Sequence, residues 1–334
     1  MTILKRFIVP IAACLLLLPS SATVAQSLQK ITITFASSDA NQSAPLVAQQ
    51  KGYFAAEGLD VELQYAGGGT ATPALISNSI QASGSAAASL TAILKGAPLR
   101  IVGIIADSPT YSIWVSSDIK SAADLKGKTI GVASRGDTLE IASRLYLQSV
   151  GIPPDSVGYQ PLGQPGGIGA GLVTGALSAA VIAATDSELM IDRGDLKKAH
   201  VLVDLTKFKM PYAGLAMSEK VLYGDPVLAK KILRAVIKGS RYMKAFRPQT
   251  LAILEKTHQT ADLAAVEKGY DLAVKSFTRD YTVSDAEILP DLAVRAGLLG
   301  MSKDQIPPVN KIYDFTLAHQ INAELNASHW RPTP

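Results

Sequence analysis

Four polar residues that could bind a ligand follow a short apolar stretch near the middle of the chain. Residues 128–133 are typical of a buried strand, and the apolar stripe after residue 138 is typical of a helix. The polar residues between them are Ser134, Arg135, Asp137 and Thr138. The first N–H groups of a helix have no intrahelical partners and lie at the positive end of its dipole. The chemistry predicted for this turn is the binding of an anion or another polar group.

Arg135 has two interpretations. Its planar guanidinium suits a carboxylate or sulfonate, which would make it an oxyanion clamp. A solvent-facing side chain, or a local pair with Asp137, fits the sequence equally well.

The same arrangement is predicted earlier in the chain, because two segments repeat at one spacing. Residues 33–39 match residues 130–136, and residues 75–82 match residues 172–179, both at an offset of 97 residues. Two weak matches that share one offset indicate a duplication better than either match alone. We therefore expect two similar α/β lobes, each with a serine-bearing turn facing a shared cleft. The alternative is that small polar residues after strands are ordinary turn chemistry.

Further candidate residues lie at other predicted strand ends. Ligands of open α/β sheets bind outside the carboxyl ends of the strands, so residues at these ends should converge. A glycine loop at residues 67–69 would allow the backbone to approach a ligand, although a solvated flexible loop fits it as well. The candidates at these ends are Ser37, Ser38, Asp39, Thr70, Ser85, Thr185 and Asp186.

Two extended segments, residues 111–115 and 212–217, are expected to form the crossing between the lobes. Tyr111, Trp114 and Tyr212 belong to them. These rings would either flank a flat ligand or pack the crossing strands.

Helix boundaries can be predicted from cap residues and glycines. A glycine-rich turn is expected over residues 163–171, and the last helix over residues 310–325. After residue 217 only helices are expected. The predicted helix starts are Thr72 with Pro73, Asp225 with Pro226, Thr260, and the capping box of Ser284 and Glu287.

The N-terminus has the pattern of a secretory signal peptide. A basic pair, Lys5 and Arg6, precedes an apolar run too short to anchor in a bilayer, and small residues end at Ala25. Cleavage is expected after Ala25. Cys14 follows a stretch like a lipoprotein acceptor box, but residues 15–18 continue the apolar core, so it should leave with the signal. The mature protein is predicted to be soluble and periplasmic.

Composition excludes several function classes. Cys14 is the one cysteine, so the mature chain would have no disulfide, thiolate metal site or cysteine nucleophile. Without Lys5 and Arg6, 30 basic residues face 28 acidic ones, which does not favour nucleic-acid binding. The four histidines are dispersed, and residues 163–171 do not fit a dinucleotide fingerprint. No metal, cofactor or catalytic residue is predicted.

Residues 52–61 resemble a known family signature. Their sequence, GYFAAEGLDV, is similar to the GYFxxEGLxV signature of periplasmic substrate-binding proteins of the nitrate/sulfonate/taurine and thiamine-pyrimidine-precursor type. These proteins are the solute receptors of ABC importers. Residues 125–132 resemble that family's entry to its second lobe. The resemblance covers residues 31–217 and extends into the helices that follow. Gln81 and Ser178 depart from it, because members commonly have aspartate there.

The resemblance implies an α/β fold of the type II periplasmic binding protein class, with two doubly wound lobes, a two-segment hinge and a helical C-terminal tail. Lobe 1 would comprise residues 27–113 and 214–334, and lobe 2 residues 114–213, after the signal peptide of residues 1–25. By similarity, the ligand-contacting turns include Ser37, Ser38, Gly68, Gly69, Thr70, Ser85, Ala86, Ser134, Arg135, Gly136, Asp137, Thr138, Thr185 and Asp186.

The function expected is that of a monomeric extracytoplasmic receptor that closes around a small organic solute, an anion such as a sulfonate or carboxylate. Its partners would be this ligand and the permease and ATPase complex of an ABC importer at the membrane, with no nucleic acid. One alternative is a pyrimidine-binding protein or an enzyme like thiamine-pyrimidine-precursor synthase. The enzyme is less favoured, because it relies on a cysteine-rich motif. Another alternative is a receptor for a TRAP-type transporter or a sensor kinase.

Overall fold

The computed structural model describes residues 27–37, 39–163, 165–258 and 263–334. Within them the chain forms two five-stranded mixed sheets, each with helices packed against it. The predicted signal peptide, Ser38 and the helix start at Thr260 lie outside the described residues. No helix of the described part combines the length and the apolar character needed to cross a bilayer.

The first sheet combines four strands that precede the second sheet with one strand that follows it. Its strands are β1 (Gln29–Phe35), β2 (Leu59–Tyr65), β3 (Ala82–Ser83), β4 (Leu99–Ala106) and β10 (Ala213–Ser218). Their order is β2-β1-β3-β10-β4. Strands β2 and β3 run parallel to β1, whereas β10 is antiparallel to β3 and β4.

The second sheet repeats this arrangement. Its strands are β5 (Tyr111–Ser116), β6 (Thr129–Val132), β7 (Gly158–Pro161), β8 (Ala179–Ala183) and β9 (Ala199–Asp204). Their order is β7-β6-β8-β5-β9, with β7 and β8 parallel to β6 and with β5 antiparallel to its neighbours. Strand β6 thus holds the position that β1 holds in the first sheet, as the repeat of residues 33–39 at residues 130–136 predicts.

Helices cover the sheets and form the C-terminal part of the chain. They are α1 (Ala44–Gln50), α2 (Tyr53–Ala56), α3 (Gly68–Ser77), α4 (Ala86–Leu94), α5 (Thr138–Ser149), α6 (Pro165–Val173), α7 (Ala184–Asp192), α8 (Glu219–Gly224), α9 (Pro226–Ala245), α10 (Arg247–His258), α11 (Leu263–Ser276), α12 (Asp285–Leu298) and α13 (Thr316–Ala327).

The chain crosses between the sheets twice, through residues 107–110 and 205–212. The backbone N–H of Met210 donates to the carbonyl of Asp107 at 2.9 Å, so the two crossings run side by side. Lys209 and Asp107 add an ion pair at 2.6 Å. The hinge therefore consists of two chain segments that lie side by side.

The predicted position of the crossing was wrong by a few residues. Residues 111–115 lie in β5 of the second sheet, and all but the first of residues 212–217 lie in β10 of the first sheet. Both segments pair along a sheet ladder, which satisfies their backbone N–H and C=O groups. The predicted lobe boundaries at residues 113 and 213 stay a prediction.

Each sheet has its own apolar core. In the first, Ile33 of β1 and the apolar face of α9, with Ile232 and Val236, are fully buried. Helices α1 and α9 approach closely because Gly239 has no side chain, and a Cβ there would overlap the carbonyl oxygen of Ala44. The second sheet buries its own set, which includes Ile130, Val132 and Ile141.

Two glycine-rich stretches predicted as loops or turns are helical. The first turn of α3 begins at Gly68, so Pro73 lies inside that helix and does not start it. Helix α6 contains most of residues 163–171. A Cβ at Gly171 would lie less than 3.0 Å from the Leu177 side chain, so close packing requires glycine there and overrides its weak helix propensity.

Cap residues in the C-terminal part are confirmed, because they act locally. The Asp225 carboxylate accepts a hydrogen bond from the N–H of Leu228 at 3.0 Å and caps α9. Ser284 and Glu287 form the capping box of α12. The last helix, α13, begins at Thr316, six residues later than predicted.

Candidate functional site

A cavity of about 610 Å³ lies where the carboxyl ends of strands from both sheets meet. It is bounded by the turn after β1 and the starts of α3 and α4 in the first lobe, and by the turn before α5 in the second. The residues predicted from sequence that line it are Ser37, Asp39, Gly68, Gly69, Ser85, Ala86, Ser134, Arg135, Gly136, Asp137, Thr138 and Tyr212.

Three of the predicted residues have other positions. Thr70 does not line the cavity, and its hydroxyl donates to the carbonyl of Gly67 at 3.1 Å. Asp186 is not among the lining residues and lies in the first turn of α7, because the residues predicted as a turn after β8 are already helical. Thr185 belongs to the same helical turn, and its side chain is not described. Ser38 lies outside the described residues.

The first-lobe wall is made of helix N-termini. Helices α3 and α4 begin at Gly68 and Ala86, and neither has a side-chain cap. They can approach each other because a Cβ on Gly68 would overlap the Cβ of Ala88. Both helix starts therefore present backbone N–H donors and the positive ends of two dipoles to the cavity.

Ser37 and Ser85 contribute hydroxyls to the same wall. The Ser37 hydroxyl donates to the Asp39 carboxylate at 2.9 Å, and the backbone N–H of Asp39 donates back to the Ser37 oxygen at 3.3 Å. Ser85 is buried, and its hydroxyl donates to the carbonyl of Ala66 at 3.3 Å. These bonds fix the turn after β1 and the start of α4.

The second-lobe wall is a turn held by Asp137. One carboxylate oxygen accepts from the N–H of Glu140 at 2.9 Å and caps α5, while the other accepts from the N–H of Ser134 at 2.7 Å. Gly136 has a φ of 73°, in the left-handed region that favours glycine. The N–H of Gly136 donates to the carboxylate of Glu140 at 2.9 Å. The start of α5 is therefore already occupied by the protein's own carboxylates.

Arg135 pairs with Glu140, not with Asp137 as one interpretation expected. Its guanidinium lies 3.3 Å from the Glu140 carboxylate and donates to the carbonyl of Tyr159 at 3.2 Å. Glu140 is fully buried and also binds Arg144 at 2.8 Å. Arg135 is 51% exposed and lines the cavity. Its charge is shared with a buried carboxylate, which weakens it as an oxyanion clamp.

Two tyrosines line the cavity near the crossing segments. The rings of Tyr111 and Tyr212 meet edge to face, with centroids 5.6 Å apart. The Tyr212 hydroxyl accepts from the side-chain amide of Asn41 at 3.2 Å. Burial, with the charge of Asp39, raises the pKa of Tyr212 to about 12, so the phenol is neutral at physiological pH. Trp114 packs instead in a core cluster with Ile168, away from the cavity.

Two carboxylates in or near the cavity wall have raised pKa values. Burial chiefly, and the charge of Glu140, raise the pKa of Asp137. Burial chiefly, and the charge of Asp39, raise the pKa of Asp186. Lys95 is an exposed cation on the lining. The polar surroundings of the site are therefore mixed in charge, with carboxylates close to the helix N-termini.

Sequence reasoning missed several lining residues. Asn41 and Gln42 belong to the short turn after Asp39 and line the cavity. Their closeness in sequence to the predicted site residue Asp39 could have indicated this. Thr72 on α3, Thr91 on α4 and Lys95 at the end of α4 also line the cavity, because α3 packs against α4. Among the described residues, no cluster of three or more histidines, cysteines or carboxylates could hold a metal ion.

The two sheets, the double crossing and the cavity between them define a type II periplasmic-binding-protein fold. Residues 39–250 match the family model described as NMT1/THI5 like. The match covers more than half of the chain, so this protein belongs to the NMT1/THI5-like family. The resemblance inferred from residues 52–61 is confirmed.

One relative is named as a riboflavin-binding protein. The chain is 27% identical over 222 residues to the riboflavin-binding protein RibY of Chloroflexus aurantiacus, which is 64% of this chain and 62% of that protein. The match thus spans less than two thirds of that relative.

Two solved structures share the fold. The periplasmic sulfonate-binding protein SsuA of Methylobacillus flagellatus KT has a TM-score of 0.72 and 16% identity, over 92% of this chain and 98% of that one. The periplasmic nitrate-binding protein NrtA of Synechocystis PCC 6803 has a TM-score of 0.64 and 17% identity, over 92% and 91%. At these identities the likeness concerns the fold.

Proposed function

We propose that the chain is an extracytoplasmic solute receptor of an ABC importer. The observation that carries this proposal is the cavity lined from both lobes beside two adjacent crossings. A ligand that contacts both walls gains contacts in the closed state that it cannot make in the open one, so it favours closure. The predicted signal peptide, and relatives named as periplasmic binding proteins, support a periplasmic location and a permease and ATPase complex as partner.

We propose an organic acid, such as a sulfonate or carboxylate, as the first ligand class. The uncapped starts of α3 and α4 support it, because two helix N-termini offer N–H donors to an anion. In this proposal the main-chain donors of the first lobe bind the acidic group. Ser134 and Thr138 bind it from the second lobe. The charge of Arg135 contributes less, because the carboxylate of Glu140 partly neutralises it.

A flat neutral heterocycle is the second candidate class. The neutral phenols of Tyr111 and Tyr212 and the carboxylate of Asp39 line the cavity. Together they suit a ring that carries N–H donors and a π face. The 27% identity to a riboflavin-binding protein supports including flavins and pyrimidines in any screen.

A thermal-shift screen tests the function. The chain is screened against alkanesulfonates, aromatic carboxylates, pyrimidines and riboflavin, and the best stabiliser is then measured by calorimetry. We expect the combined variant S134A, R135A and T138A to lose that stabilisation. Thr70→Ala is the matched control, because Thr70 is a predicted site residue outside the cavity lining. A ligand that stabilises the triple variant as strongly as the parent chain would contradict the assignment.

A further inference from the structure

The buried carboxylate of Glu140 binds donors that an anionic ligand would otherwise use. The side chain is fully buried, and one of its oxygens accepts from the backbone N–H of Gly136 at 2.9 Å. The other oxygen lies 3.3 Å from Nη2 of Arg135 and accepts from Nε of Arg144 at 2.8 Å. Gly136 and Arg135 line the cavity. A carboxylate of the protein therefore occupies, beside the cavity, the position that an oxyanion would take.

The same turn contains a second internal carboxylate, that of Asp137. It accepts from the N–H of Ser134 at 2.7 Å and from the N–H of Glu140 at 2.9 Å. Asp137 and Glu140 together thus bind three backbone N–H groups of the turn and one guanidinium that lines the cavity. The donors that the sequence predicts for an anion at the start of α5 are therefore already used by the protein itself.

The contacts of Glu140 go beyond what α5 needs for its own stability. Its ion pair with Arg144, four residues along the helix, would by itself stabilise α5. The contacts with Gly136 and Arg135 have no such role, because both residues precede the helix. They connect the buried carboxylate to two residues of the cavity wall instead.

The charges of this wall do not favour a ligand with two negative charges. Arg144 binds the carboxylate of Asp155 at 2.8 Å, so Glu140 and Asp155 offset the charges of Arg135 and Arg144. The carboxylate of Asp137 then leaves the wall with a net negative charge. The N–H donors at the starts of α3 and α4 can bind one acidic group, but a second negative charge would be repelled by this wall.

We propose that Glu140 is a specificity-determining residue that restricts the cavity to neutral or singly charged ligands and excludes doubly charged ones, such as sulfate or a phosphate monoester. It acts through Arg135, because its carboxylate holds the guanidinium beside α5 and offsets its charge. This inference rests on the proposed function, since it takes the cavity as the ligand site and narrows the class of ligand.

Three probes of one shape and increasing charge test the proposal. Dimethyl sulfone is neutral, methanesulfonate carries one negative charge and sulfate carries two. Calorimetry measures their binding to the parent full chain and to Glu140→Gln at constant ionic strength, because salt screens charges. We expect sulfate to bind Glu140→Gln about fivefold more tightly, the upper size of the effect of an exposed charge pair. Coulomb energy is proportional to charge, so methanesulfonate should gain about the square root of that factor and the sulfone nothing.

Two further variants separate the role of Arg135 from a change in stability or net charge. When Arg135→Ala is already present, Glu140→Gln should change the affinity for sulfate little. Glu140→Gln alone removes a charge partner of the buried Arg144 and can impair folding. The double variant E140Q/R144M removes both buried charges and keeps the net charge of the parent chain, so a gain in sulfate affinity there reflects the release of Arg135.

Sulfate binding that is equally weak or absent in the parent chain, in folded Glu140→Gln and in E140Q/R144M would overturn the proposal. A gain that persists after Arg135 is replaced by alanine would overturn it as well. The outcome is separable from that of the thermal-shift screen. A screen that finds no ligand counts against the proposed function, whereas a ligand from the screen together with unchanged sulfate affinity would refute this inference alone.

Discussion

Substituting the two neighbouring glycines at the start of α3 should have opposite effects. A Cβ added at Gly68 would lie less than 3.0 Å from the Cβ of Ala88, whereas a Cβ at Gly69 would meet no atom within 4 Å. Replacing a helical glycine by alanine stabilises the protein by about 0.5–1 kcal/mol where the added methyl group meets no other atom. Overpacking costs about 1–3 kcal/mol. Gly68→Ala should therefore lower the free energy of unfolding by about 1–2 kcal/mol, and Gly69→Ala should raise it slightly.

The function of the two variants should diverge as well. In Gly68→Ala, α3 and α4 must move apart, which displaces the N–H donors that we assign to the ligand. Ligand affinity should fall in this variant and change little in Gly69→Ala. Urea unfolding followed by circular dichroism measures the first effect, and calorimetry with the best ligand of the screen measures the second. Equal stability of the two variants would refute the reasoning, since it would mean that the helices are not in contact at Gly68.

Three further substitutions test other features of the fold and site. Burial and the charge of Asp39 raise the pKa of Asp186, so the native state binds more protons and loses stability as pH rises from the unfolded value of about 3.9 through the folded one. Asp186→Asn should therefore be more stable than the parent chain at pH 7 and lack part of that decline, as thermal melts across roughly pH 3.5–7 would reveal; a steeper decline in this variant would contradict the reasoning. Tyr212→Phe leaves the buried amide of Asn41 without its acceptor and should cost about 1–3 kcal/mol in urea unfolding. Asp225→Ala removes the cap of α9 and should cost about 0.5–2 kcal/mol, whereas Asp225→Asn should retain most of it.

The elements that depend on neighbours in sequence could be predicted from the sequence. The Asp225 carboxylate accepts from the N–H three residues ahead, and the N–H of Ser284 donates to the carboxylate of Glu287 three residues ahead, so a short pattern contains all the information that these caps need. The strand over residues 128–133 and the helix after Thr138 follow from apolar periodicity in the same way. The family signature at residues 52–61 carried the fold class, which local patterns alone would have left as a two-lobe hypothesis.

Much of the candidate site could be listed from sequence, because polar turns after parallel strands meet at one edge of a sheet. The hydrogen-bond and charge partners of each site residue could not be predicted from the sequence. Arg135 pairs with Glu140, a fully buried residue that the helical pattern did not distinguish from an exposed one. The position of Thr70 outside the cavity follows from a helix that begins two residues earlier, at Gly68.

By itself, the sequence determined the types of most elements, the caps at Asp225 and Ser284, the duplicated turns and the family. Only the tertiary structure decided which glycines are helical and which carboxylate binds Arg135. The physical reason is the distance along the chain over which each interaction acts. Hydrogen bonds in caps and the period of apolar residues act over a few positions, whereas desolvation, close packing and charge pairing depend on which distant segments the fold brings together.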